Sequence, residues 1–296
     1  MSVVPPGPAA APPETGFRDG YITAQDGLRL YYRDYGPHAA RRATALCLPG
    51  LARNSRDFHD VAVRLSASRR VLSLDYRGRG RSDYDPDWRH YEPRTYVDDA
   101  RHLLAATNTH GVVAIGVSLG GLVAMGLAVV MPSAVRAIVL DDVGPEIEAG
   151  GMGRIFDILR AMRPQPDWEH AVREMRRTFP KLSIQTDAGW LKFTRATYKE
   201  GGDGLLHADW DPNIVKPLEK PAGIPADLWA LYRGVAKIPV LAVRGGESDV
   251  LGEATFRRMK AEKPDLVQVT LPGVGHAPTL TEPVVTAALD AFLANL

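Results

Sequence analysis

The sequence predicts an α/β fold in which a mostly parallel sheet is covered by helices on both faces. Three observations carry that prediction. Short continuous apolar runs alternate with amphipathic helical stretches, as βαβ units require. The alternation stops after Gly144 and resumes at Ile238. One serine, Ser118, sits among glycines between an apolar strand and an apolar helix.

Along the chain, "LRLYYRDYG" alternates apolar and polar residues like a half-solvated strand, whereas "ATALCLPG" is continuous and reads as buried. A helix is expected from Arg56 to Ser66, a buried strand in "RVLSLDYRG", a helix from Tyr96 to Ala106 and a strand in "VVAIGVS". A helix starting at Leu119 and the strand "AVRAIVLDDVG" follow directly. From Pro145 to about Ala236 buried-strand runs give way to amphipathic helices: Gly151 to Met162, Trp168 to Phe179, Ala188 to Tyr198 and a short one at Leu228 to Tyr232. Gly- and Pro-rich joints such as "EGGDG" separate them. "IPVLAVRGG", a helix from Glu253 to Glu262, "LVQVTLPG" and a terminal helix from Glu282 complete the pattern. The expected organisation is therefore a disordered N-terminal arm over residues 1–16, a core of 17–144 plus 237–296, and a helical insertion at 145–236.

Composition narrows the function. The 296 residues are 45% hydrophobic and 24% charged, with a net charge of +1, so no electrostatic case exists for nucleic acid or an anionic membrane as partner. The single cysteine, Cys47, cannot form an internal disulfide. The Pro- and Ala-rich start lacks the positive region and apolar core of a secretory signal, which makes the cytoplasm the default location. A small-molecule substrate and a monomer or homodimer are expected.

Gly116-Val117-Ser118-Leu119-Gly120 fits G-x-S-x-G in the strand-turn-helix setting of a nucleophile elbow, where a strained turn needs small neighbours. The Leu119 amide, at the helix start, would face an oxyanion. A serine hydroxyl needs a base, and His276 in "LPGVGHAPTL" follows the last expected strand. The orienting acid should lie between them in the chain, after a strand. "VRGGESDVL" offers Asp249, with Glu247 as its nearest competitor, and the pair Asp141 and Asp142 is a second alternative. Asp249 is preferred because Val250 and Leu251 can anchor it.

The elbow "GVSLGG", the segment "LDYRGRGRSDY", the acid loop "GGESDVL" and the terminal "GVGHAPTLTEP" together resemble the α/β-hydrolase superfamily over Tyr21 to Leu296. The resemblance implies the α/β-hydrolase fold, with an eight-stranded sheet and the insertion as a helical cap. It implies Ser118, His276 and Asp249 as catalytic triad, the amides of Leu119 and Leu51 as oxyanion hole, and no metal or organic cofactor. Many relatives carry His-Gly after the third strand; Pro49 stands in place of that histidine here, so the oxyanion loop must be braced otherwise, with the rigid Pro49 one means. "DYRGRGRS" matches a structural loop of the family rather than a nucleic-acid patch.

A serine at position 118 excludes the carboxylate-nucleophile relatives, epoxide hydrolases and haloalkane dehalogenases. A carboxylesterase or lactonase for small to medium substrates is the expected activity. The alternatives are a carbon-carbon bond hydrolase of vinylogous diketones, which usually has Met after the serine, and a non-catalytic ligand-binding protein. Arg53 is a candidate for the substrate entrance. Expected lining from the insertion includes Met152, Ile155, Phe156, Leu159, Trp190, Phe193, Tyr198 and Trp210, with Phe156, Trp190 and Trp210 as named substrate-binding candidates. Its arginines, Arg154, Arg160, Arg163, Arg173, Arg176 and Arg177, could serve an acidic ester or lactone.

Overall fold

The computed structural model describes residues 16–38, 40, 42–219 and 227–296. Apart from Gly16, the expected N-terminal arm lies outside them.

The chain opens with a hairpin, β1 (Phe17–Thr23) and β2 (Arg29–Tyr35), followed by β3 (Ala45–Leu48), α1 (His59–Ser66), β4 (Val71–Leu74) and α2 (Pro93–Ala106). Then come β5 (Val112–Val117), α3 (Leu119–Val130) and β6 (Val135–Asp141). The insertion contributes α4 (Ala149–Ala161), α5 (Trp168–Thr178), α6 (Asp187–Thr197), the short strands β7 (Tyr198–Glu200) and β8 (Leu206–Ala208), and α7 (Leu228–Gly234). The core resumes with β9 (Val240–Gly245), α8 (Glu253–Glu262), β10 (Val267–Leu271) and α9 (Pro283–Leu293).

Eight strands form one sheet in the order β1-β2-β4-β3-β5-β6-β9-β10, parallel from β4 to β10 and antiparallel where β2 meets β1 and β4. The eight-stranded, mostly parallel α/β-hydrolase sheet expected from the sequence is thus present. β3, β4, β5 and β9 are predominantly apolar and almost wholly buried because helices cover both faces, with Ser73 in β4 and Arg244 in β9 as the polar exceptions. On one face Val97, Leu103, Val123, Leu127, Tyr232 and Met259 form an apolar cluster; on the other, Val61, Leu65, Val285 and Leu289 do so.

The insertion has a small apolar cluster of its own, Ala171, Met175, Trp190, Tyr198 and Leu206. Packing does not change at residue 236, however. Leu228, Trp229 and Tyr232 of α7 join the main cluster, as do Trp210 and Ile214. β1 and the β7-β8 hairpin have no counterpart in the sequence reading. β7 and β8 are three residues each and polar in part, too short to show a period of two. Among the described residues no helix is long and apolar enough to cross a membrane.

Candidate active site

β5 ends at Val117, and α3 begins one residue after Ser118. Reversing direction in that space forces Ser118 into φ 52° and ψ −118°, a region a non-glycine residue occupies only under constraint. Two close approaches hold the turn. A Cβ on Gly116 would lie 2.3 Å from the Gly120 carbonyl carbon, and one on Gly120 would lie 1.9 Å from the Leu48 oxygen. The Ser118 amide donates to the Asp141 carbonyl at 2.9 Å, fastening the elbow to the neighbouring strand.

His276 stands on the loop between β10 and α9, its side chain one-tenth exposed. Its Nε2 lies 3.1 Å from Ser118 Oγ and its Nδ1 lies 2.7 Å from Asp142 Oδ2. An ionised carboxylate only accepts, so Nδ1 carries the proton and Nε2 is left to accept from the serine. Asp142 is fully buried, and its other oxygen accepts the Gly245 amide at 2.9 Å. That amide, at the end of β9, fixes the carboxylate's orientation.

Asp249, the preferred acid from the sequence, does not meet His276. Both of its oxygens are taken by the Arg154 guanidinium of α4, Oδ1 at 2.7 Å, and this partner holds its carboxyl below the usual range. The physical reason for the correction is position. Asp142 follows β6 by one residue and points along the sheet edge, whereas Asp249 lies four residues beyond β9, turned toward the insertion and two-fifths exposed. Glu247, its competitor, pairs with Lys181 at 2.6 Å. Asp141 makes no hydrogen bond to His276, and its carboxyl is buried without a hydrogen-bond partner among the described residues. Of the acids weighed in the sequence, Asp142 is the one brought to the histidine. The signal for it was present: an Asp just past a buried strand, of a type that tolerates the positive φ of 54° found there.

The loop after β3 lies against the nucleophile, with a Cβ on Gly50 only 3.8 Å from that of Ser118. The brace that Pro49 leaves open comes from Arg79 in "DYRGRGRS". Its Nε donates to the Leu51 carbonyl at 2.6 Å, and its fully buried guanidinium lies 4.8 Å over the Tyr96 ring. Arg53 donates to Asp57 and Thr197, and its guanidinium sits 4.2 Å over Phe193 of α6. Leu119 occupies the first position of α3, where an amide has no intrahelical acceptor.

Ser118, His276, Gly50 and Leu51 open into one cavity of about 400 Å³. Arg53 is among its lining residues, and the insertion supplies Ile155, Leu159, Phe179, Leu182 and Phe193. Three substrate candidates from the sequence are elsewhere. Trp190 is buried in the insertion's cluster at right angles to Phe193, Trp210 is in the main core, and Phe156 carries Arg160 on its ring. Met152 and Tyr198 are also absent from the lining. Of the insertion's aromatic residues, Phe179 and Phe193 face the cavity beside Ile155, Leu159 and Leu182, whereas Trp190 and Tyr198 serve the insertion's own packing. Of the insertion's arginines, Arg154 pairs with Asp249, Arg163 donates to the Arg160 carbonyl, Arg173 pairs with Glu169, Arg176 with Asp187 and Arg177 with Glu174, and none is among the lining residues.

Comparison with known proteins agrees with this fold. The profile of the Alpha/beta hydrolase family matches residues 45–289. The chain is 36% identical over 293 residues to the 3-hydroxybutyrate-oligomer hydrolase of Cupriavidus necator, covering 96% of this chain and 98% of that one. It is 29% identical over 255 residues to the 2-(acetamidomethylene)succinate hydrolase of Mesorhizobium japonicum, covering 82% and 86%. The crystal structure of an alpha/beta hydrolase from Novosphingobium aromaticivorans superimposes with a TM-score of 0.89 at 40% identity, over 95% of this chain and 99% of that one. With the family profile spanning most of the chain and a relative of more than one-third identity matching nearly end to end, the protein belongs to the alpha/beta hydrolase family of enzymes.

Proposed function

We propose that the protein is a serine hydrolase of carboxylic esters working through an acyl-enzyme, with Ser118 as nucleophile, His276 as base and Asp142 as orienting acid. The observation that carries the reading is the continuous chain from Ser118 Oγ through the His276 ring to Asp142 Oδ2, at 3.1 Å and 2.7 Å.

His276 Nε2 takes the hydroxyl proton as Ser118 attacks the carbonyl carbon, while Asp142 stabilises the imidazolium. The amides of Leu119 and Leu51 hold the tetrahedral oxyanion. Collapse expels the alcohol, which takes the proton from His276. Water, activated in the same way, then releases the acid and restores Ser118. The insertion acts as a cap whose apolar side chains exclude water from the acyl group.

An ester of a short hydroxy acid, or a small oligomer of one, is the favoured substrate class. The near full-length likeness to a 3-hydroxybutyrate-oligomer hydrolase supports it, and a cavity of about 400 Å³ has room for one or two such units. The likeness to the 2-(acetamidomethylene)succinate hydrolase keeps that substrate as a second reading.

The test is hydrolysis by wild type and Ser118→Ala of p-nitrophenyl esters of rising chain length, 3-hydroxybutyrate dimer and trimer, a simple lactone, 2-(acetamidomethylene)succinate and a vinylogous diketone. Turnover of the esters that vanishes in the variant is the expected result. Turnover of 2-(acetamidomethylene)succinate or the diketone alone would move the assignment, and a folded wild type inert on all of them would overturn it.

A further inference from the structure

The loop that carries His276 is gripped from the insertion at both ends. At one end the Gly275 amide donates to the Lys181 carbonyl at 2.8 Å, and a Cβ on Gly275 would press on Lys181 Cβ at 3.0 Å. At the other end three donors converge on a single oxygen, Oε1 of Glu282. They are the Thr279 amide at 2.8 Å, the Thr279 hydroxyl at 3.0 Å and the Ser183 hydroxyl from the segment between α5 and α6. Ser183 and Thr279 both line the cavity that holds Ser118.

Glu282 precedes α9 and could cap it, yet its side chain makes no capping bond and turns back to the loop instead. Three hydrogen bonds to one charged acceptor exceed what a surface turn needs. The other oxygen of Glu282, Oε2, is buried without a hydrogen-bond partner among the described residues, and so are both oxygens of Asp141, whose backbone carbonyl holds the Ser118 amide. Burial, then the charges of Asp142 and Glu282, keep the Asp141 carboxyl well above its ordinary range.

We propose that Glu282 is the positioning residue of the catalytic histidine, joining the His276 loop through Thr279 to the cap through Ser183, so that His276 reaches Ser118 when the cap is seated. The proposal rests on the reading of His276 as the base. It differs from a packing role because Glu282 touches neither substrate nor reacting atoms and acts through hydrogen bonds that a glutamine can reproduce.

The experiment compares Glu282→Ala, Glu282→Gln, Ser183→Ala and Thr279→Val with wild type on p-nitrophenyl butyrate, kcat being taken per active site titrated with a fluorophosphonate. For Glu282→Ala, kcat should fall about 10- to 100-fold with KM within about threefold, the size expected for a misplaced catalytic group. Glu282→Gln, whose Oε1 accepts the same donors, should recover most of it. If Glu282→Ala is insoluble, the two single-hydroxyl deletions carry the test, each lowering kcat by a larger factor than it changes KM. Wild-type kcat in Glu282→Ala, or in both Ser183→Ala and Thr279→Val, would overturn the proposal, as would a Glu282→Gln no better than Glu282→Ala. His276→Ala and Ser118→Ala in the same assay separate the two failures. If they abolish turnover while the Glu282 variants match wild type, positioning alone is refuted; if they retain it, the serine mechanism is.

Discussion

Asp142 and His276, 134 residues apart in the chain, meet at 2.7 Å across the edge of the sheet, while Asp249 is held away by Arg154. Asp142→Asn should therefore lower kcat about 10³- to 10⁴-fold by presenting the wrong hydrogen-bonding partner to Nδ1. Asp249→Asn breaks a half-exposed ion pair and should cost about 1 kcal/mol or less in stability, with kcat changed by less than about tenfold. Steady-state kinetics of the two variants side by side decide the assignment, and the reverse order of effects would return Asp249 to the triad.

Gly120 of the elbow and Gly153 of the insertion should respond in opposite directions to one methyl group. On Gly120 it would enter the space of the Leu48 carbonyl, so Gly120→Ala should lower the denaturation midpoint by an amount equivalent to about 1–3 kcal/mol and depress activity. Gly153, inside α4, has nothing within 4 Å of an added Cβ. Gly153→Ala should gain about 0.5–1 kcal/mol from helix propensity, measured by urea unfolding.

The raised affinity of Asp141 for its proton makes stability depend on pH. The native state keeps a proton that the unfolded chain releases above the ordinary value of 3.8. Stability is fully present below that value and declines as pH rises toward the raised native value, by up to about 1.4 kcal/mol per pH unit. Asp141→Asn has no such proton to lose. Its Tm relative to wild type should climb from about pH 4 to about pH 8, and parallel pH profiles would count against a buried neutral acid.

Arg77, with 2% of its side chain exposed, binds Asp85, Asp99 and Asp26, each at 2.6 Å. Asp99 is pushed up by burial and drawn back by Arg77, so removing the cation strands buried acid groups. Arg77→Met should destabilise by about 3–5 kcal/mol. Equilibrium urea unfolding reads the change, and a loss under about 1 kcal/mol would show the carboxyl groups relaxing into the neutral form.

What the sequence by itself determined was what neighbours in the chain decide. The alternation of buried runs and amphipathic helices specified the sheet, because a strand covered on both faces must be predominantly apolar. Ser118 was legible because the strand, the strained turn and the helix are contiguous, and His276 because it follows the last strand at the same sheet edge. The boundary of α8 was read to the residue, whereas α2 began three residues early at Pro93, a residue favoured in a first turn.

What only the tertiary structure decided was which of several acids, aromatic residues and arginines meet across the fold. Asp141 is the last residue of β6 and Asp142 the first beyond it, and a slip of one residue exchanges them. The sequence offers both without saying which side His276 will occupy. Trp190 and Trp210 are as apolar as any pocket residue, and the packing of α6 and of the main core, rather than their chemistry, removes them from the cavity. Arg79 bracing the loop of Leu51, and Glu282 joining Thr279 to Ser183, are contacts between segments far apart in the chain. Local patterning carries no record of such contacts; they exist only once the sheet has brought the strand ends to a common edge.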